Sequence, residues 1–126
     1  YRPTRRGFAE SLGFTTSTLF LPRDHPRVVE SVQEFDPIDR FLWASAQYYV
    51  RWNDTEVFEP RGHMTDYLTE QAVAAIRANR NRPFFMYLAH GAPHTPIAAT
   101  REDYEMLSHI EDHTERVYAA MVMQLD

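Results

Sequence analysis

Four of the six histidines fall into pairs spaced by four, His90 with His94 and His109 with His113. On a helix that spacing puts two imidazoles on one face, where they could share a metal ion. Neither pair completes the chemistry. A zinc-peptidase helix needs glutamate directly after its first histidine, and Ile110 follows His109. His109 and His113 therefore read as solvated residues on the charged first turn of a helix. Gly91 and Pro93 argue against a helix between His90 and His94, so periodicity does not put that pair on one face. His90 reads as a hydrogen-bonded structural residue at the end of a strand. His94 lies between Pro93 and Pro96, which restrict the backbone and would hold an imidazole in one place. Binding loops are where functional histidines concentrate, so His94 is the candidate site residue. Two readings of it stay open, a loop histidine satisfied locally and one that contacts a ligand. Glu102, Asp103 and Asp112 all fall on expected helix turns, and none can be assigned as its orienting carboxylate. No glycine-rich phosphate loop, Ser-His-Asp order or paired-carboxylate spacing stands out.

The elements that must position His94 follow from pattern. Residues 84–89 read Phe-Phe-Met-Tyr-Leu-Ala, an unbroken apolar run that stops at the His94 loop. Such a run suits a strand buried on both faces in a parallel sheet, and in open parallel sheets ligands bind beyond the carboxyl ends of the strands. A helix capped by Thr65 or Asp66 precedes it, with Leu68, Ala72, Ala75 and Ile76 as its apolar face, and the stretch before Pro83 ends it. After the loop, Thr100 with Asp103 resembles a capping box for a short helix to about Leu107. Ser108 with Glu111 forms a second box, opening a longer helix with Val117, Ala120, Met121 and Leu125 on one side. Helix, buried strand, loop and helix make part of a right-handed crossover, so the expected fold class is α/β with a mainly parallel sheet.

Upstream the pattern is weaker. Gly7-Phe8 and Gly13-Phe14 form a repeated pair whose aromatics are expected to plug a loop onto the body of the fold. Residues 19–39, with Pro22, Pro26 and Pro37 among charges, read as irregular chain with one short helix near 27–35. The aromatic-dense stretch 41–52 reads as a strand or an irregular packed segment. Residues 51–58 read as a hairpin turning at Asn53-Asp54. Asn53-Asp54-Thr55 also satisfies the N-glycosylation sequon, though a turn accounts for it.

Composition narrows the function classes. The 126 residues carry a net charge of −5 with both signs interleaved, which offers no basic surface to nucleic acid. No apolar run reaches the roughly 20 residues that span a bilayer. There is no cysteine, and all thirteen basic residues are arginine, so neither a thiolate nor a catalytic amine comes from these residues. The chain opens at Tyr1 without methionine and stops at Asp126 within a helical pattern, which reads as an interior piece of a longer protein.

Three blocks carry a resemblance. Gly62-His-Met-Thr-Asp-Tyr-Leu-Thr-Glu-Gln-Ala-Val, then Asn-Arg-Pro-Phe-Phe-Met-Tyr-Leu-Ala-His-Gly-Ala-Pro-His-Thr-Pro96, then Arg116-Val-Tyr-Ala-Ala-Met-Val resemble the central region of formylglycine-dependent sulfatases. These are arylsulfatase-type enzymes of the alkaline-phosphatase-like superfamily. The Gly7-Phe8 and Gly13-Phe14 pair and the hairpin before the helix look similar too. The resemblance implies a partial alkaline-phosphatase-like fold, with residues 1–126 as the central part of a sulfatase catalytic domain. It implies that His94 contacts the sulfate ester and assists departure of the leaving group, and that Ser17 supplies a sulfate-contacting hydroxyl. No metal ligand is implied within these residues. Calcium ligands and the Cys or Ser converted to formylglycine would lie outside them. The implied substrate is a sulfated small molecule or glycan, and the implied location periplasmic or secreted. Two alternatives stand beside this reading, a phosphomonoester or phosphonate hydrolase of the same superfamily and a binding domain that has lost its nucleophile.

Overall fold

The structure, a computed structural model, describes residues 2–14, 18–31 and 37–126. After a 3-10 turn at Pro3–Arg6 come β1 (Leu12–Gly13), β2 (Val28–Glu30), α1 (Pro37–Ser45), β3 (Val50–Trp52) and β4 (Val57–Phe58). They are followed by α2 (Met64–Asn79), β5 (Ala98–Thr100), α3 (Arg101–Met106) and α4 (His113–Leu125).

The strands form two small sheets. One has the order β1-β3-β4 and the other pairs β2 with β5. Every ladder is antiparallel, with Leu12 opposite Trp52, Val50 opposite Phe58 and Val29 opposite Ala99. Parallel pairing among the described residues is confined to an isolated bridge between Thr18 and Gln47. The mainly parallel α/β sheet of an alkaline-phosphatase-like fold is therefore contradicted. Its central element fails first, because residues 84–89 form no strand and all but the half-buried Met86 are exposed, Phe85 at 79% and Tyr87 at 74%. An apolar run is buried on both faces only where neighbours supply those faces. Here the core closes without it.

That core gathers Val117, Ala120 and Met121 of α4, Met64, Leu68 and Ala72 of α2, Ala99 of β5, Val50 of β3 and Phe20. Positions 117, 120 and 121 of α4 follow the helical repeat, so one stripe of the helix is dry. All three residues of β5 are buried, and its ladder is prolonged by Ser31 N–H donating to Ile97 O and Arg101 N–H donating to Arg27 O. The apolar face expected for α2 is half right. Leu68 and Ala72 are buried, Ala75 is half-buried and Ile76 is exposed. On α4, Leu125 is likewise exposed.

Helix starts follow capping chemistry, though not always at the expected residue. Thr100 caps α3, its hydroxyl accepting from Asp103 N–H at 3.2 Å and donating to the Asp103 carboxylate. The Ser108 box does not form. A turn closed by Ile110 N–H on Leu107 O occupies that stretch, and α4 starts instead from Asp112, whose carboxylate accepts from Glu115 N–H at 2.8 Å. For α2 the cap is His63, not Thr65 or Asp66, with Nδ1 accepting from Thr65 N–H at 3.3 Å. Upstream, residues 28–30 form β2 where a short helix was expected near 27–35, of which residues 32–35 lie outside the described ones, and α1 occupies the start of the stretch 41–52 read as a strand or an irregular packed segment. The hairpin at Asn53 is present. Asn53 takes a φ of +49° and exchanges hydrogen bonds with Ser11, donating from its backbone N–H and accepting at its side-chain oxygen. That contact uses the sequon asparagine as a turn residue.

Candidate functional site

The His94 loop is a short turn on a firm base. His94 N–H donates to Gly91 O at 2.9 Å, closing residues 91–94, and Pro96 and Ile97 beyond it are buried as the chain enters β5. A buried base with an exposed tip is how a fold presents a side chain rigidly. The His94 ring is exposed, and its Nδ1 lies 2.6 Å from its neighbour's carbonyl, Thr95 O. A carbonyl only accepts, so Nδ1 carries the proton in that contact and Nε2 is left for a ligand. In the neutral ring Nε2 can accept, and in the protonated ring it can donate.

The backbone thus does the orienting that a carboxylate does in other sites. Each carboxylate weighed for that task has another role. Glu102 pairs with Arg27 at 2.9 Å, Asp103 is held by Thr100, and Asp112 caps α4. Arg27 keeps the exposed Glu102 carboxyl below its ordinary range only as the second cause, after a hydrogen bond from the residue's own backbone.

Beneath the turn lies an aromatic floor. A methyl group built on Gly91 would come within 2.9 Å of Phe14 Cζ and 3.5 Å of Phe20 Cε1. Phe20 in turn stacks on the His63 ring, with centroids 5.7 Å apart and planes inclined by 12°, and its carbonyl accepts from Met64 N–H. The Gly-Phe reading of the sequence is thereby met at Phe14, which packs against the core. Phe8 sits farther out, against the exposed Phe85 at 6.2 Å.

His63 carries no spacing signal, yet its burial sets it apart. It is 4% exposed, its Nδ1 faces a backbone N–H, and its Nε2 is buried without a partner. Burial holds its pKa down to about 4, opposed by Asp103 and assisted by Arg27. The ring is neutral, with its proton on the orphaned Nε2.

The remaining histidines separate. His90 is half-buried, and its Nδ1 lacks a hydrogen-bond partner, so the bonded structural role expected of it is not met at that atom. His109 lies in the turn before α4 and His113 at its first position, so they do not share a helix face. His113 is no idle surface residue either. It donates from Nε2 to Glu30 O at 2.9 Å and accepts from the Tyr104 hydroxyl at 3.0 Å, tying β2 to α3 and α4. Ser17 lies outside the described residues, so its sulfate-contacting role has no geometry.

Among the described residues no three His, Asp or Glu side chains come together as a metal-binding group. No described helix is long and apolar enough to cross a membrane. A separate open cleft of about 720 Å³ is lined by Arg23, Gln47, Tyr48, Tyr49, Phe58 and Glu59 and includes neither His90 nor His94. Arg23 there is bonded to the carbonyls of Trp43 and Ala46. Tyr48 donates to the Pro60 and Gly62 carbonyls, and burial, then Glu59, pushes its phenol up to about 12.

No protein-family pattern and no curated protein matches the chain. Among solved structures it is similar to the crystal structure of Ps i-CgsB, with a TM-score of 0.69 and 28% identity. That match covers 98% of this chain and 27% of the other, so these residues span about a quarter of that protein's length.

Proposed function

We propose that this chain is the central part of a sulfuric ester hydrolase of the formylglycine-dependent sulfatase type, and that His94 acts on the leaving group. The observation that carries the reading is the state of the His94 ring. It is exposed at the tip of a turn with a buried base, and its Nδ1 is committed to Thr95 O while Nε2 is free. The three sequence blocks that resemble sulfatases include this turn, which adds the substrate class.

Cleavage of a sulfate ester breaks the S–O bond as sulfur is taken by a nucleophile, which would be supplied from outside these residues, and leaves negative charge on the bridging oxygen. A protonated imidazole donates Nε2–H to that oxygen as the charge develops, which lowers the barrier most where the alcohol is a poor leaving group. The bond from Nδ1 to Thr95 O holds the ring plane during that transfer and stabilises the extra positive charge before it. In this reading formylglycine and Ca²⁺ would be supplied from outside these residues. The substrate in this reading is a sulfated small molecule or glycan, and the protein a periplasmic or secreted one.

The test is hydrolysis of an aryl sulfate and an aryl phosphate by the intact polypeptide, with and without His94→Ala. Preferential turnover of the sulfate, lost in the variant, supports the reading. Preferential turnover of the phosphate would move the assignment to a phosphomonoester hydrolase.

A further inference from the structure

We propose that Phe14 and Phe20 form a seat that fixes the His94 turn, acting through Gly91 as positioning residues for the reaction. The inference rests on the reading of His94 given above and adds what sets its geometry.

Three contacts carry it. Gly91 O closes the turn by accepting from His94 N–H at 2.9 Å, so a displacement of Gly91 moves the backbone that carries the imidazole. Gly91 lies on the two rings so closely that a single methyl group would meet Phe14 Cζ at 2.9 Å, below any ordinary carbon contact. Phe20 is itself locked, because it is 2% exposed, stacks on His63 and bonds through its carbonyl to Met64 N–H at the start of α2. The turn therefore inherits its position from the N-terminal end of α2 through one ring and from the segment after β1 through the other. At 91 a side chain is opposed by space and not by backbone conformation, since φ lies outside the left-handed region, and either the Phe14 ring tip or the turn must give way to a methyl group.

The strain falls on one atom, the tip of the Phe14 ring, which makes the proposal separable from a general folding effect. In Gly91→Ala the new methyl and the ring tip cannot both keep their places. Phe14→Leu removes that ring tip and leaves only the ordinary 3.5 Å contact with Phe20. The double variant G91A/F14L should therefore recover what Gly91→Ala loses.

The experiment measures two readouts on the intact polypeptide carrying Gly91→Ala, Phe14→Leu or both. The first is the His94 imidazole carbon resonance by NMR, assigned by its absence in His94→Ala. The second is kcat and KM on a good and a poor leaving-group aryl sulfate. Gly91→Ala should move the resonance and lower kcat on the poor substrate by about 10- to 10²-fold, as displacement of a catalytic group by about 1 Å does, with KM changed less than threefold. The loss on the good substrate should be smaller, and G91A/F14L should restore both readouts in large part. A merely structural role would lower the folded fraction and reduce turnover of both substrates alike. A His94 resonance unmoved in both single variants, or a double variant no better than Gly91→Ala, overturns the seat. If Gly91→Ala does not fold, Phe14→Leu alone decides, because a seat with its ring shortened must still shift His94. A resonance that moves and recovers while wild type turns over no sulfate ester would uphold the seat and overturn the sulfatase reading instead.

Discussion

Lowering the pH from 7 to 4 should destabilise this protein through His63. The ring is buried, neutral and used as a helix cap, with Nδ1 accepting from Thr65 N–H. Protonation would put a hydrogen on that nitrogen, remove the cap, set a positive charge against the positive end of α2 and charge a dry site. All three effects favour the neutral ring. Burial is the chief cause of the fall in pKa from 6.5 to about 4, with Asp103 opposing and Arg27 contributing. Between those two values the unfolded chain binds the proton and the folded chain does not. Stability is therefore full above about pH 6.5 and falls as the pH drops through the window. Linkage converts the separation into about 1 kcal/mol lost by pH 5.5 and about 3 kcal/mol by pH 4. The assay is urea unfolding followed by circular dichroism at pH 7, 5.5 and 4 and constant ionic strength, with His63→Asn alongside. Asparagine is a good cap that does not titrate, so the gap between the two proteins should change by about 3 kcal/mol in favour of the variant between pH 7 and 4. Carboxylates titrate equally in both and cancel. A constant gap, or a His63 resonance that titrates as an ordinary histidine, would refute the reasoning.

Two other substitutions separate the structure from the sequence expectation. His113→Ala removes hydrogen bonds to Glu30 O and Tyr104 and should cost about 1–2 kcal/mol, whereas His109→Ala should stay within about 0.5 kcal/mol, both read by urea unfolding. Equal effects would restore the picture of two solvated histidines. Tyr87, at 74% exposed, should tolerate Tyr87→Ser within about 0.5 kcal/mol, while a loss above about 3 kcal/mol, as for a buried aromatic, would reinstate a buried strand over residues 84–89.

The legible parts of the chain were those with a long period or an unambiguous local signal. Leu68 and Ala72 on α2, and Val117, Ala120 and Met121 on α4, were readable because one side of a helix faces the core at a fixed repeat. The Asn53 turn and the Thr100 cap were readable because a side chain satisfies the backbone next to it. What escaped depends on neighbours distant in sequence. Strands β2 and β5 have three residues each, too few for an alternation to register, and they form because Val28 to Glu30 meets Ala98 to Thr100 across some seventy positions. The apolar run at 84–89 carries no record of whether other segments cover it. Ser108 and Asp112 are both good caps, and the choice between them was made by the turn at Leu107 and the contacts of His113. His63 is not legible in the sequence because imidazole is an uncommon cap and nothing local reveals that Phe20 covers it. At the site, His94 was legible from its proline-flanked loop, but Thr95 O as its orienting partner and Phe14 as its support were not.

The central claim, that His94 Nε2 assists departure of the leaving group from a sulfate ester, is tested most directly by the dependence of kcat on leaving-group pKa. A series of aryl sulfates should be compared in the intact polypeptide and in His94→Ala. Loss of a positioned acid should lower kcat by roughly 10²- to 10⁴-fold on the poorest leaving groups and progressively less on better ones, so the variant's slope is the steeper of the two. Parallel slopes, or a variant as active as wild type on the poorest leaving group, would contradict the account.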